Sequence, residues 1–395
     1  TAGGFDRMKT GYDVAVVGLG AAGSAALYQL ARRGVKAVGM DRFDPPHEYG
    51  SSHGDTRITR LALGEGPQYA PLVRRSHEIW RELEATTGRT LLRQVGALIY
   101  GSTQCRAATH GAEDFLETTI KVARSQGIDH EELDAAAMRE RFPQFRFGGD
   151  ESGYFESEAG LVHPAECISA QLEMARRMGA EVRTGERIVQ WKPHQDRVVL
   201  TTGRGVVEAE KLIMCAGAWM PSLLPELRDK ARVFRQVLFW FEPDGPHEMF
   251  MPDRMPVHIR VPDSKTGMFY GFPAINGPGG GMKVAGEQFD LSCDPDEMVA
   301  DVSRAEAAAM FQLASPHLRI RSNCLRSVAC KYTVTADFAF IIDRHPSSDR
   351  VWLASPCSGH GFKHSAAVGE ALAEWSVEGV TRFDLSSFAL ERFKA

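Results

Sequence analysis

No stretch of this chain comes near the 18 or so uninterrupted apolar residues that a membrane-spanning helix needs, so a helical membrane protein is excluded. Cysteine is sparse and unpaired. Cys105, Cys167, Cys215, Cys293, Cys324, Cys330 and Cys357 are odd in number and show no CxxC spacing. Neither a disulfide framework nor a zinc site is therefore expected, and a reducing compartment is the default. A surplus of positive charge is also missing: 46 Lys and Arg stand against 51 Asp and Glu, a net charge of -5, which argues against a nucleic-acid partner. There is no internal repeat, no low-complexity linker and no basic-apolar leader. Thr1 to Arg7 read as a cloning remnant ahead of a natural start at Met8, and the C-terminal Phe393-Lys394-Ala395 is not the Ser-Lys-Leu address, so a cytoplasmic protein is expected. What is present is 395 residues, 43% hydrophobic and 25% charged, enough for a large core and, at about 150 residues per domain, for two to three domains.

The N-terminal unit is the clearest. Tyr12 to Val17 is almost wholly apolar after Asp13, as a strand covered on both faces of a parallel sheet should be. It leads into Gly18-Leu19-Gly20-Ala21-Ala22-Gly23 and an Ala-rich segment with Ala26, Leu30 and Ala31 at helical spacing, stopped by Gly34. Residues 35–40 then form a second apolar strand ending at Asp41. Helices are expected over 71–87, with Leu72, Ile79, Trp80 and Leu83 on one stripe, and from Pro164, with Ile168, Leu172 and Ala175 on one face. Strands are expected at 181–184, 198–202 and 211–215, with Ala216-Gly217-Ala218-Trp219 turning into another helix. Aromatic and β-branched residues broken by Pro and Gly predict antiparallel strands over 233–284. Strands at 338–342 and 351–354 and a helix over 364–375 return to the first pattern. The expected fold class is α/β (α+β overall). A Rossmann-type nucleotide domain is built from the discontinuous segments 8–92, 158–228 and 337–395, with a mostly antiparallel substrate domain at 93–157 and 229–336.

GxGxxG alone is weak evidence, but here a strand precedes it, a helix follows it, and Asp41 stands 18 positions beyond Gly23. Gly18 makes the tight turn, Gly20 lets backbone approach a pyrophosphate, Gly23 permits close helix packing, and Asp41 takes ribose hydroxyls. The motif does not choose between NAD and FAD. Arg57 and Arg60, three apart on one side of a turn, suit a carboxylate or an anionic cofactor edge, although two solvated arginines read the same way. Lys363 sits at the start of the last expected helix, where the macrodipole disfavours a cation, so helix stability is not its reason. By pattern alone, Cys330 reads as a packed thiol, Lys283 as a strand lysine, and Tyr270 and Tyr332 as packed strand tyrosines.

Four blocks change that balance. His53 to Arg60 is followed by Gly64-Glu65-Gly66, and Tyr270-Gly271-Phe272-Pro273 by Lys283. Ala329-Cys330-Lys331-Tyr332 is followed by Phe340-Ile341-Ile342-Asp343, and Ser358-Gly359-His360-Gly361-Phe362-Lys363 closes the set. In this order they resemble the monomeric sarcosine oxidase and N-methyltryptophan oxidase family of the D-amino-acid-oxidase superfamily, and the resemblance runs from Met8 onward. It implies FAD, attached covalently as an 8α-S-cysteinyl thioether at Cys330, with Cys324 as the internal competitor. It implies Lys283 at the flavin N5 face for oxygen reduction, Arg57 beside the flavin ring, and Arg60 with Lys363 as a clamp on the substrate carboxylate. Tyr270 and Tyr332 then line the pocket. Gly359, His360, Gly361 and Lys363 face the flavin pyrimidine side, and Gly18, Gly20, Gly23, Asp41, Arg42, His53 and Thr56 contact the rest of the cofactor.

One departure stands out. Glu287, four residues after Lys283, occupies the place of a family histidine, and is expected to pair with Lys283 or to select a substrate with an extra amine or hydroxyl. The implied activity is oxidation of a secondary, N-methyl amino acid: a hydride passes to FAD, the imine hydrolyses to formaldehyde and the demethylated amino acid, and oxygen becomes hydrogen peroxide. Alternatives are oxidation of a cyclic imino acid such as pipecolate or proline, a non-catalytic flavin-binding protein, and an NAD-dependent dehydrogenase. A monomer whose only partners are the small-molecule substrate and O2 is expected.

Overall fold

The computed structural model describes residues 11–102, 109–111, 113–262 and 267–394; Cys105 and the Thr1 to Arg7 leader lie outside them. Strand β1 (Tyr12–Val17) is parallel to β2 (Ala37–Met40) on one side and to the strand Gly205–Met214 on the other. Val14 to Val17 and all of β2 are buried because the sheet is covered on both faces, which explains why these strands read as unbroken apolar runs. Helix α1 (Ala21–Arg32) follows the glycine turn and packs on the helices Pro164–Arg177 and Ser365–Glu378. Its partner glycine is sterically required: a Cβ on Gly369 would lie 2.4 Å from the Ala25 Cβ and 2.5 Å from the Ala26 backbone nitrogen.

The second large sheet runs, in spatial order, Ile320–Thr335, Ala231–Pro243, Met282–Ala285, Phe269–Gly271, Val257–Arg260, Ala97–Ser102, Glu151–Glu156 and Glu131–Asp134. All its pairs are antiparallel except one: Val257–Arg260 runs parallel to Ala97–Ser102. In the long pair at the sheet's edge Gln236 lies opposite Cys330, and Trp240 lies opposite Lys283 on the other flank, so the cysteine and the lysine arrive from two strands that flank one. A three-stranded sheet of Arg57–Thr59, Gly160–Val162 and Leu92–Gln94 carries Arg57.

The segment 216–219 turns into a helix as expected, a 3-10 turn, Gly217–Trp219, then a single α-helical turn, Met220–Leu223, which ends where Leu224, preceding Pro225, is held in extended backbone. One expectation is corrected. The strand expected over 338–342 starts only at Ile341, since Phe338 turns the chain with φ 58°. The strand Ile188–Pro193 was not foreseen; it is a mostly exposed edge strand paired only with Val198–Thr202 among the described residues. The helix Ala70–Thr87, ended by left-handed Gly88, stands as expected. Among the described residues no helix is long and apolar enough to cross a membrane.

The α1 crossing predicts that Gly369→Ala destabilises the protein by roughly 1–3 kcal/mol through overpacking. Gly149→Ala, where an added Cβ meets nothing within 4 Å, is expected to shift stability by under about 0.5 kcal/mol in the same urea titration.

Candidate active site

A long cleft runs from the glycine turn to the second sheet. At its outer end Gly18 adopts φ 84°, and a Cβ on Gly23 would lie 1.7 Å from the Gly18 carbonyl, so this turn closes only with glycine. Helix α1 begins at Gly20 with no side-chain cap and no acidic residue in its first turn, which leaves its N–H groups as donors for an anion. Asp41 closes this end: its carboxylate accepts the Leu19 N–H at 2.7 Å and the Phe43 N–H at 2.8 Å, and each oxygen keeps a second lone pair. Arg42 lines the cleft, its guanidinium 2.5 Å from Asp296. These features fit a dinucleotide.

At the inner end the guanidinium of Arg57 is pinned, donating to the Thr56 carbonyl at 2.8 Å and the Ser51 carbonyl at 2.7 Å. The Cys330 Sγ lies 3.7 Å from both Arg57 Nη2 and the Ser51 oxygen. Lys283 is 2% exposed; its Nζ donates to the carbonyls of Gly54 at 2.8 Å and Thr56 at 2.6 Å and sits 3.8 Å from the Phe272 ring centre. Cys330 and Lys283 thus stand directly behind Arg57, which itself lines the cleft. His53 and Thr56 are enclosed by protein, and their side-chain polar atoms find no partner among the described residues. The Tyr270 and Tyr332 hydroxyls are 2.9 Å apart, and both residues line the cleft with Gly359, His360, Gly361 and Lys363.

The centre of this end is an ion cluster that sequence reading did not resolve. Arg60, 1% exposed, directs Nη2 at both oxygens of Glu65, at 3.0 and 2.9 Å, and donates Nη1 to the Ala62 carbonyl at 2.7 Å. Glu156, also buried, fixes this turn by accepting the Leu61 N–H at 2.7 Å and the Ala62 N–H at 3.2 Å. Lys363 donates to the His360 carbonyl at 2.7 Å, with its Nζ 3.8 Å from Glu65. The expected clamp of Arg60 and Lys363 is therefore assembled, but around the protein's own carboxylate. His110 bridges onward, with Nδ1 3.4 Å from Glu65 and Nε2 2.7 Å from Glu287. Glu287 pairs with His110 and not with Lys283. The strand carrying Lys283 ends at Ala285, so face alternation stops before Glu287. Glu65 stood in a recognised block without a role, and a glutamate five residues after Arg60 was its only signal. His110, on a turn with φ 50°, gave none.

Charge balance explains the protonation pattern. Burial pushes the Glu65 carboxyl up, but Arg60, Lys363 and the His110 hydrogen bond outweigh it and hold it well below the usual carboxylate range. Burial pushes His110 down, but the charge and hydrogen bond of Glu287 outweigh it and raise it to about 9. Burial lowers Lys363 to about 8 against the pull of Glu65, and lowers Lys283 well below the usual lysine value. His360 falls to about 3 by burial, so it is neutral. Burial raises the Cys330 thiol, with Arg57 opposing.

A glycine turn on a parallel sheet, an uncapped helix end and an acid at the tip of β2 define the class of dinucleotide-dependent oxidoreductases. Within it, the chain belongs to the FAD dependent oxidoreductase (DAO) family, whose profile matches residues 13–375. It is 36% identical over 390 residues to monomeric sarcosine oxidase of Streptomyces avermitilis, covering 98% of this chain and 99% of that one. It is 32% identical over 383 residues to N-methyl-L-tryptophan oxidase of Salmonella arizonae, covering 97% and 99%. Its fold matches that of NikD, an unusual amino acid oxidase essential for nikkomycin biosynthesis, with TM-score 0.81 at 23% identity over 96% of this chain and 97% of that one. The family resemblance, the mixed α/β fold and the FAD-dependent amine oxidase class expected from sequence agree with these relatives.

His110 binds its proton more tightly folded than unfolded, where its value is near 6.5, so the folded protein holds an extra proton between pH 6.5 and about 9. Its stabilising contribution is complete below pH 6.5 and is lost as pH rises toward 9. The depressed Lys363 acts with the opposite sign only above about pH 8. Between pH 6.5 and 8, unfolding free energy attributable to His110 therefore falls by about 1 kcal/mol per pH unit. Urea titrations across that window should show a shallower fall in His110→Gln.

Proposed function

We propose that this protein is an FAD-dependent oxidase of a secondary, N-methyl amino acid, using O2 and releasing formaldehyde, the demethylated amino acid and hydrogen peroxide. The observation that carries this reading is the buried Arg60–Lys363 pair closed on a carboxylate beside the two facing tyrosines. That arrangement is a ready receptor for an amino-acid carboxylate. Kinship with oxidases named for sarcosine and N-methyl-L-tryptophan supports the substrate class.

Bound FAD supplies the two-electron acceptor and its reoxidation by oxygen. The chain's own residues do the rest. A substrate carboxylate takes the planar fork of Arg60, and the displaced Glu65 carboxylate keeps His110, at 3.4 Å, as its partner. Tyr270 and Tyr332 wall the space beside the clamp. Arg57, fixed by two carbonyls, keeps a positive charge near the reacting amine and so favours its neutral, reactive form. Lys283, held behind Arg57, would stabilise the negative charge that oxygen gains as it takes electrons from bound FAD. Cys330, adjacent to Arg57 and Ser51, is the attachment point for the cofactor. The reading includes a monomeric chain, as the description of its relatives supports.

A panel of N-methyl and cyclic amino acids is expected to give peroxide and formaldehyde together from the N-methyl compounds. Peroxide from pipecolate or proline alone, with no formaldehyde, would reassign the substrate to cyclic imino acids, and no flavin reduction by any of them would remove the oxidase reading. Acid precipitation should leave the yellow colour with the wild-type protein and release it from Cys330→Ser; wild-type flavin that washes out would make Cys330 a packed thiol.

A further inference from the structure

Amine oxidation leaves one acidic group of the pocket without a task. The Glu287 side chain is 8% exposed and lines the cleft. Its Oε1 accepts a hydrogen bond from His110 Nε2 at 2.7 Å, while Oε2 has no hydrogen-bond partner among the described residues. That oxygen is reached by solvent in the cleft, so it is free to accept a donor brought in by a ligand in place of water. A glycine lets the chain pass close against the His110–Glu287 pair. A Cβ at Gly359 would lie 3.0 Å from Glu287 Oε1, 3.2 Å from His110 Nε2 and 3.2 Å from the Tyr332 ring.

Charge decides what kind of donor fits. Arg57, Arg60, Lys363 and His110 bring cations to this end of the cleft, and Glu65 and Glu287 bring two carboxylates. A second cation on the substrate would enter beside Arg57 and the His110–Glu287 pair, which already neutralises itself. A hydroxyl donates the same hydrogen bond and adds no charge. Position follows from the imidazole: His110 stands between Glu65 and Glu287, so Oε2 serves a part of the substrate remote from the carboxylate clamp. We propose that the pocket selects a secondary amino acid bearing a hydroxyl remote from its carboxylate, with Glu287 Oε2 accepting that hydroxyl's hydrogen bond. The inference rests on the amino-acid oxidase reading for its substrate class. His110 is the positioning residue that holds the Glu287 carboxylate from its other oxygen.

The test uses the flavin-loaded protein and two isosteric pairs that differ only in hydroxyl against methyl. In turnover, N-(2-hydroxyethyl)glycine is compared with N-propylglycine. In binding, read by flavin absorbance, the unreactive ether (2-hydroxyethoxy)acetate is compared with propoxyacetate. The hydroxyl compound is expected to win by about tenfold or more in kcat/KM and in Kd, the worth of one hydrogen bond to a charged acceptor. Both ratios should fall toward one in Glu287→Leu, and Glu287→Gln, whose amide oxygen still accepts, should keep part of the preference. Equal wild-type values for both pairs, ratios that survive Glu287→Leu, or a cationic N-(2-aminoethyl)glycine that outranks the hydroxyl compound would each overturn the inference. If Glu287→Leu does not fold, the wild-type ratios and Glu287→Gln decide it. Preference within the ether pair without oxidation of any amine would sink the oxidase reading and support the pocket inference. Oxidation of all the amines without preference would do the reverse.

Discussion

The inner half of this cleft depends on one buried ion pair, Arg60 with Glu65. Two side chains, each about 2% exposed, face each other at 2.9 Å, and around them lie Lys363, His110 and His360. Removing one member of such a pair leaves the other charge stranded, a penalty of about 3–5 kcal/mol. The same logic sets the protonation of its neighbours. His110 holds its proton because Glu287 and Glu65 flank it, and Lys363 is softened by burial.

The scaffold gives that pair its address. Glu156, at the end of a strand of the second sheet, accepts the Leu61 and Ala62 N–H groups and fixes the turn from which Arg60 projects. The strand before it, Arg57–Thr59, belongs to the small three-stranded sheet. One run of four residues therefore delivers Arg57 toward the second sheet, beside Cys330, and Arg60 toward Lys363 at the start of the last helix. The turn 51–56 spends its carbonyls on Arg57 and Lys283, and this explains how two basic side chains sit side by side under burial.

Legibility in the sequence followed the range of the interaction. The β1–α1–β2 unit, Asp41, the helix Ala70–Thr87 and the helix after Pro164 could be read directly, because strand burial, glycine turns and helical stripes are local. The helix after 216–219 is a single turn, Met220–Leu223, because Pro225 ends it, and the edge strand Ile188–Pro193 owes its place to pairing with Val198–Thr202. The chemistry of Cys330 and Lys283 was legible only through family resemblance, since by pattern each is an ordinary strand residue. Their neighbourhood comes from the pairing of Ala231–Pro243 with strands on both flanks.

By itself the sequence determined the dinucleotide turn, the mixed α/β class, the family, and the presence of Arg57, Arg60, Lys283, Cys330 and Lys363 in an order that an amine oxidase needs. Each of these is carried by residues adjacent in the chain or by whole-length similarity. Only the tertiary structure decided that the Arg60–Lys363 clamp closes on Glu65, that His110 joins Glu65 to Glu287, and that Lys283 has two backbone carbonyls in place of a carboxylate partner. The reason is physical: ion pairing under burial is settled by which side chains the packing of distant segments brings within about 3–4 Å, and His110 and Glu287 are 177 residues apart in the chain.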